Sequence, residues 1–285
     1  MSTLLESSLH PLEGTLPAGD VEILAVSEKS ATLLRDGRCM FDRLRQLDYD
    51  LRYTSHAGSI LEHEFPGASQ EIEDALVDLD IPIESLVGSG GGVATVTQYI
   101  RREFDARGWS KENFHITQTV NGVESVADSH EVDHVKEFPR GRLLLEIEWN
   151  NKDPFYDRDL SNFRALHQAS AASVGLIVTR GSSLQSQAVA LLTEYFRRES
   201  VTDFSQLEKL GMKRATQRQQ TRLQQERTRG SDPYAALARV FVADKYGAAT
   251  THWNKLMDRI DRGVGRPCPL VLIGIPAGVV SSSPL

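Results

Sequence analysis

The segment from residue 132 to residue 180 constrains the fold more than any other part of this chain. Val132–Lys136 is short and extended, a turn containing proline and glycine follows, and Arg142–Trp149 is apolar enough to be a buried strand. Asp159–Ser170 then has a helical pattern, and Val174–Arg180 is another apolar strand. A strand, a helix and a strand in this order form a parallel pair with a right-handed crossover. The sequence therefore predicts an α/β fold with a central mixed β-sheet flanked by helices.

Other stretches extend this pattern on both sides. Helical periodicity covers Ser69–Val77 and Ala94–Arg107, while Phe114–Val120 alternates like a strand. Tyr234–Ala243 is apolar throughout, which predicts a buried element. Cys268–Pro276 is an apolar run bracketed by prolines, which favours a strand in the core.

The charge of the chain is unevenly distributed. The formal net charge of −7 argues against nucleic acid as a partner, because phosphate contacts need basic side chains. Lys209–Arg229, however, contains seven basic residues and a single acid, Glu226. Such segregation predicts either a positive surface that contacts DNA or a merely solvated helix.

Several protein classes are excluded by pattern. No apolar run reaches the roughly 20 residues of a membrane span, and the N-terminus lacks a secretory signal. Cys39 and Cys268 predict reduced core thiols in a cytoplasmic protein. The glycine run Gly88–Gly92 lacks the Gly-Lys-Ser/Thr of a phosphate loop and is interpreted as a turn.

Three acids could carry the chemistry. Side chains alternate along a strand, so Glu146 and Glu148 share one face, about 6–7 Å apart. If the preceding turn closes a hairpin, Asp133 lies beside either Leu145 or Glu146, and one residue of register decides which. Oxygen clusters of this kind suit Mg²⁺, which could activate a water beside a phosphodiester.

These acids also have simpler interpretations. A Glu-x-Glu pair is common on the solvent side of a sheet, although apolar flanks argue against that here. Asp157 or Asp159 could cap the N-terminus of the next helix, where negative charge is favoured. In the catalytic interpretation Asp133, Glu146 and Glu148 contact the metal. Glu148 also orients or deprotonates water, and Lys152 stabilises phosphate charge.

The block Asp133–Lys136 and Glu146–Trp149, together with the tail Pro269–Ile275, resembles the BglII/BstYI family of type II restriction endonucleases. The resemblance extends with gaps from about residue 50 to residue 276. It implies a PD-(D/E)xK restriction-endonuclease core and a homodimer. It also implies Mg²⁺-dependent cleavage of both strands of double-stranded DNA at a short palindromic site with a central GATC.

The resemblance also implies residue roles. Asp133 and Glu146 match the metal-binding acids of the family, and Glu148 matches a position that is Gln in some members and Glu in BamHI. The spacing from Asp133 to Glu146 is longer than in the relatives, so Glu131 and Glu137 remain alternatives for the first ligand.

A base-contacting loop is expected before the last strand. The residues Thr250, Thr251, His252, Asn254 and Lys255 lie where the family has this loop, and their side chains suit base edges and phosphates. An ordinary helix start capped by Thr250 or Thr251 is the compatible alternative.

We accordingly expect an N-terminal helical extension over residues 1–50, a catalytic domain over 51–276 and a C-terminal tail over 277–285. A basic helical insertion is expected at about 183–232. The leading prediction is a site-specific endonuclease. The alternatives are a repair or structure-specific nuclease of the same fold and a DNA-binding descendant that no longer cuts.

Overall fold

The computed structural model describes residues 40–88, 95–209 and 211–281. Its strands are β1 (Asp50–Thr54), β2 (Ile81–Pro82), β3 (Ser110–Val120), β4 (Val123–Phe138), β5 (Gly141–Glu148), β6 (Val174–Arg180), β7 (Leu270–Ile275) and β8 (Val280–Ser281).

The helices surround these strands, and a short 3₁₀ helix, Ala277–Val279, precedes β8. They are α1 (Asp42–Gln46), α2 (Ala57–Glu64), α3 (Ala68–Leu76), α4 (Ile83–Val87), α5 (Thr95–Ala106), α6 (Phe155–Gln168), α7 (Ser182–Arg198), α8 (Phe204–Lys209), α9 (Gln217–Thr228), α10 (Pro233–Lys245) and α11 (Trp253–Asp261).

Six strands form one mixed sheet in the order β1-β7-β6-β5-β4-β3. Strands β5, β6 and β7 run parallel to one another, while β1, β4 and β3 pair antiparallel with their neighbours. The crossover between β5 and β6 is α6, as the strand–helix–strand pattern predicts. The predicted α/β fold with a central mixed sheet flanked by helices is therefore confirmed.

Strand β5 lies between two apolar clusters, so its two faces have different neighbours. Leu143, Leu145 and Ile147 belong to the larger cluster, which includes side chains of α2, α3, α5 and α7. Leu144 belongs to the smaller cluster, with the apolar side chains of α6 and α11. Because side chains alternate along a strand, Glu146 and Glu148 lie on the α6 face of the sheet.

Two elements differ in length from the sequence expectation. Strand β4 is 16 residues long because it pairs with β3 along most of its length, through a tight turn at Asn121 and Gly122. Both turn residues have positive φ, 51° and 80°, which is the Asn-Gly hairpin signature that the sequence analysis overlooked. Helix α6 begins at Phe155 because its buried stripe already starts at Tyr156.

Other expectations fall partly outside the described residues. The predicted N-terminal extension and Cys39 lie mostly or wholly before residue 40, and most of the glycine run lies within 89–94. Cys268 is a buried free thiol, as predicted. No helix in the described part of the chain is long and apolar enough to cross a membrane.

Candidate active site

The register of the β4–β5 hairpin determines which residue faces Glu146. The pairs run from Phe138–Gly141 to His134–Leu145. The ladder ends at this pair, so Leu145 lies opposite His134, and Asp133 and Glu146 are the next residues on the two strands.

A β-bulge modifies β4 at the same place. Ser110 pairs with Val135 and Glu112 pairs with Val132, so three steps along β4 match two steps along β3. Asp133 and His134 therefore both lie opposite Lys111. Bulges of this kind redirect side chains and are common beside active sites. The bulge thus gives Asp133 an orientation that simple strand alternation would not supply.

The glutamates of β5 are buried although they are acids. Glu146 is 4% exposed and Glu148 is 2% exposed. Glu148 Oε2 accepts a hydrogen bond of 2.8 Å from Asn151 Nδ2. These two side chains therefore occupy the core side of the strand end, and the solvent-facing interpretation of the Glu-x-Glu pair is wrong.

A fourth acid, Asp159, completes the group. Asp159 lies on α6, is 0% exposed and accepts a hydrogen bond to Oδ1 from Arg158 Nε at 2.8 Å, and Arg158 Nη2 forms an ion pair with the same oxygen at 2.7 Å. The same Arg158 nitrogen lies 3.8 Å from Glu148 Oε1. Oδ2 of Asp159 has no hydrogen-bond donor among the described residues. Neither Asp157 nor Asp159 caps α6 through a side-chain hydrogen bond, but Asp157 does lie in the first turn of the helix, where negative charge is favoured.

Burial and mutual repulsion favour protonated forms of these acids. Burial raises the pKa of Glu146 well above its usual range, and the charges of Asp159, Asp133 and Glu148 raise it further. Burial, followed by the neighbouring Asp159, raises the pKa of Glu148 to about 9. The pKa of Asp159 is raised mainly by burial, and its hydrogen bonds with Glu148 and Arg158 oppose that shift. One proton shared between Glu148 and Asp159 would also supply the hydrogen bond that Asp159 Oδ2 lacks.

Asp133 is more accessible than the other three acids. Its carboxylate is 30% exposed and lies 3.2 Å from Arg101 Nη2. The alternative first ligands lie in different surroundings. Glu131 is 58% exposed and pairs with Lys111, while Glu137 is 75% exposed near the end of the hairpin. The charge of Asp133 is among those that raise the pKa of Glu146.

The carboxylate oxygens of these acids are the donors available to a divalent cation. Within the described ranges, no three His, Cys, Asp or Glu side chains are already arranged to hold a metal ion. Mg²⁺, however, retains several waters and is held through one or two carboxylates together with substrate phosphates. Buried carboxylates without a neutralising cation are costly, and Asp159 Oδ2 has no donor. The donor set therefore fits a divalent cation.

The loop after β5 is attached to the loop before α11. Asn151 N donates to Thr251 Oγ1 at 3.0 Å, and Thr251 N donates to Asn151 O at 2.9 Å. Lys152 forms a backbone bridge with Thr250, and its side chain is exposed. No contact among the described residues joins the Lys152 ammonium group to the acids. The two loops thus form one surface beside the acidic group.

A buried arginine that the sequence analysis did not identify holds these loops together. Arg180 is 2% exposed and donates to Trp149 O at 2.8 Å and to Thr251 O at 2.7 Å. It also donates to Thr250 Oγ1 at 2.7 Å and to Gln185 Oε1 at 2.6 Å. Burial lowers the pKa of Arg180 to about 10. Its position at the end of an otherwise apolar strand was the available sequence signal.

The predicted base-contacting residues have different surroundings. Thr251 is fully buried and the Thr250 hydroxyl is hydrogen-bonded on both sides. Asn254 is exposed, and Lys255 Nζ lies 3.8 Å from Asp153 Oδ2. His252 is 7% exposed and its Nδ1 has no partner among the described residues. Burial, aided by the positive charges of Arg180 and Lys255, lowers the pKa of His252 to about 4.

A six-stranded mixed sheet with buried acids at the end of a parallel strand is consistent with a restriction-endonuclease-like fold. A family model described as restriction endonuclease BglII/BglIII matches residues 49–275. The chain therefore belongs to this family of DNA-cleaving enzymes, and the resemblance predicted from the sequence is confirmed. The match begins just before β1 and ends with β7, so it includes all six strands of the sheet. No curated protein sequence matches the chain.

Proposed function

We propose that this protein is a type II restriction endonuclease that cleaves both strands of double-stranded DNA in a Mg²⁺-dependent reaction. Membership of the family supports endonuclease activity on DNA. The observation that carries the proposal is the group of buried acids Glu146, Glu148 and Asp159 beside Asp133. Burial of these acids lowers the stability of the folded protein. A requirement to bind a cation during catalysis explains why the acids are present.

Asp133 and Glu146 hold the metal in this proposal, and Glu148 lies next to it. Bound Mg²⁺ polarises a phosphoryl oxygen, lowers the pKa of a water and stabilises the leaving oxygen. Because a bound cation would favour the ionised form of the neighbouring carboxyl groups, Glu148, fixed by Asn151, would then orient the attacking water and accept its proton. Arg158 holds Asp159 in place next to Glu148.

The loop surface supplies DNA contacts. Lys152 and Lys255 are assigned to phosphate oxygens, because both are positively charged and neither ammonium group is fully buried. His252 and Asn254 are assigned to base edges. A neutral His252, as its low pKa implies, provides one donor and one acceptor. Thr250 and Thr251 contribute by holding the loop in position, since their hydroxyl groups are already hydrogen-bonded.

Cleavage of both strands requires two equivalent sites. We propose a homodimer with twofold symmetry, because a symmetric pair of active sites matches a palindromic sequence. The central GATC follows from the resemblance to the BglII/BstYI enzymes.

The test is digestion of unmethylated phage DNA with Mg²⁺ by the wild type and by four variants. Glu146→Ala and Asp133→Ala remove proposed ligands, whereas Glu131→Ala and Glu137→Ala remove the alternative acids. Discrete fragments from the wild type and from the Glu131 and Glu137 variants, with intact DNA from the other two, are expected. Sequencing the fragment ends then identifies the site.

Other outcomes separate the alternatives. A smear of fragments that disappears in Glu146→Ala indicates a repair or structure-specific nuclease. Binding of DNA without cleavage at any metal concentration indicates a descendant that no longer cuts. Loss of cleavage in Glu131→Ala but not in Asp133→Ala reassigns the first ligand.

A further inference from the structure

Helix α9 is unusual because it presents almost no apolar surface. Leu223 is its only buried side chain. A helix that is polar all round needs another source of stability. Here a capping box between Thr216 and Gln219 fixes its N-terminus.

Polar contacts attach one face of α9 to its neighbours. Gln219 Nε2 donates to Asp244 Oδ2 at 2.6 Å, and Glu226 Oε2 accepts from Arg239 Nε at 3.0 Å. Arg227 Nη2 donates to Thr202 O at 2.5 Å. Together with Leu223, these contacts lie at helical spacing and hold the helix against α10 and the segment before α8. Its orientation is therefore defined by specific contacts.

A second face of α9 carries positive charge. Arg218, Arg222, Gln225 and Arg229 follow one another at helical spacing, and we call this set the α9 stripe. Neither Arg218 nor Arg222 forms an ion pair with any residue that the structure describes. Arg229 is 71% exposed and pairs with Glu226, an acid that Arg239 also neutralises. The stripe is therefore a local positive surface on a chain of net charge −7.

The α9 stripe borders the loop that is assigned to base contacts. A cleft beside α10 is lined by Arg222, Gln225 and Arg229 of the stripe, by Glu226, and by Gly247 and Ala248. Gly247 and Ala248 directly precede the segment Ala249–Lys255. A duplex that lies on this loop thus extends toward the stripe.

We propose that the α9 stripe binds the phosphate backbone of duplex DNA flanking the cleavage site. This inference rests on the proposed function and adds a second contact surface to it. The argument is charge complementarity: unpaired guanidinium groups in a row match a row of phosphates, and Arg suits bidentate phosphate contacts. The contacts that anchor α9 do not involve the guanidinium groups of Arg218 and Arg222.

The test compares wild type, Arg218→Gln/Arg222→Gln and a control, Arg45→Gln/Arg102→Gln. Both double variants lose two positive charges. Arg45 and Arg102 are exposed on α1 and α5, outside the proposed DNA surface. Gln has a good helix propensity, so α9 is retained, and thermal unfolding of each variant verifies this.

Binding is measured with a chelator present, so that the duplex stays intact. Two duplexes are used, one limited to the recognition site and one extended by about one helical turn of 10 base pairs on each side. Raising the salt from about 50 mM to about 200 mM increases Kd by a factor that grows with the number of phosphate contacts. Loss of two contacts per protomer, and therefore four per dimer, makes this increase about a hundredfold smaller. We expect this reduction for the α9 variant on the extended duplex only, and not for the control.

Equal salt dependence of wild type and α9 variant on the extended duplex overturns the inference. An equal reduction in both double variants also overturns it, because net charge alone is then responsible. A reduction seen with single-stranded oligonucleotide or RNA but not with duplex assigns the stripe to another nucleic acid and overturns it as well. A wild type that binds the duplex but never cuts it refutes the proposed nuclease, while the binding measurement still decides the role of the stripe.

Discussion

Replacing Glu148 with glutamine should stabilise the metal-free protein at neutral pH and lower the rate of cleavage. Glu148 is 2% exposed, and burial beside Asp159 raises its pKa to about 9 from 4.5. The folded state therefore binds more protons than the unfolded state between these two pH values. The contribution of protonated Glu148 to the free energy of unfolding is fully present below about pH 4.5 and is lost as the pH rises toward about 9.

The size of the effect follows from the same shift. Each pKa unit corresponds to about 1.4 kcal/mol, so raising the pH from about 5 to about 7.5 costs the folded state about 3 kcal/mol. We count one proton for Glu148 and Asp159 together, because the two carboxyl groups share it. Glu148→Gln removes the ionisation and hence most of this loss.

The assay is urea unfolding of metal-free protein at both pH values, with Glu137→Gln as the control. Glu137 is 75% exposed, so its replacement leaves the pH dependence unchanged. The expected result is that the wild type loses about 3 kcal/mol more than Glu148→Gln on raising the pH. The same pH dependence in both proteins refutes the assignment of a raised pKa to this carboxyl group. Cleavage by Glu148→Gln at the wild-type rate refutes the role of Glu148 as proton acceptor.

Three further predictions concern the support of the site. Arg180→Met should lower the free energy of unfolding by about 2–4 kcal/mol, because two buried carbonyl groups lose charged donors; unchanged urea unfolding contradicts this. Gly175→Ala should lower the free energy of unfolding by about 1–3 kcal/mol, since the added Cβ would lie 2.5 Å from Phe163 Cδ2 on α6. Because α6 also carries Asp159, cleavage should be slower, and a rate equal to wild type contradicts this effect of α6 on the site. The pKa of His252, lowered to about 4 by burial, means that the unfolded state binds more protons between about pH 4 and 6.5. The free energy of unfolding therefore falls as the pH drops through that range. In urea unfolding, this decrease should be about 2 kcal/mol smaller for His252→Gln than for the wild type.

Much of the fold could be predicted because its determinants are local. The apolar runs of β5, β6 and β7 mark strands buried on both faces, and the helical stripe of α6 marks the crossover between two of them. The Asn-Gly pair at residues 121–122 carried equally local information about the β3–β4 hairpin. Its oversight explains why β4 was expected to be short.

The candidate site could be predicted only in part. The two acids on β5 could be predicted as site residues because strand alternation places them on one face of the sheet. Asp159 was not recognised, although it occupies an apolar-stripe position between Tyr156 and Phe163. A charged residue at such a position is the signal that could have identified it.

The sequence by itself determined which segments become strands and helices and which acids share the end of β5, because these depend on neighbours along the chain. Only the tertiary structure decided that His134 pairs with Leu145 and that Arg101 contacts Asp133, since hairpin register depends on which strand faces are buried. It also decided that Arg180 joins Trp149 to Thr251, two residues separated by about a hundred positions in the sequence. Burial and charge act through space. The residues that donate hydrogen bonds to a buried group or raise its pKa are therefore determined by packing and not by their positions in the sequence.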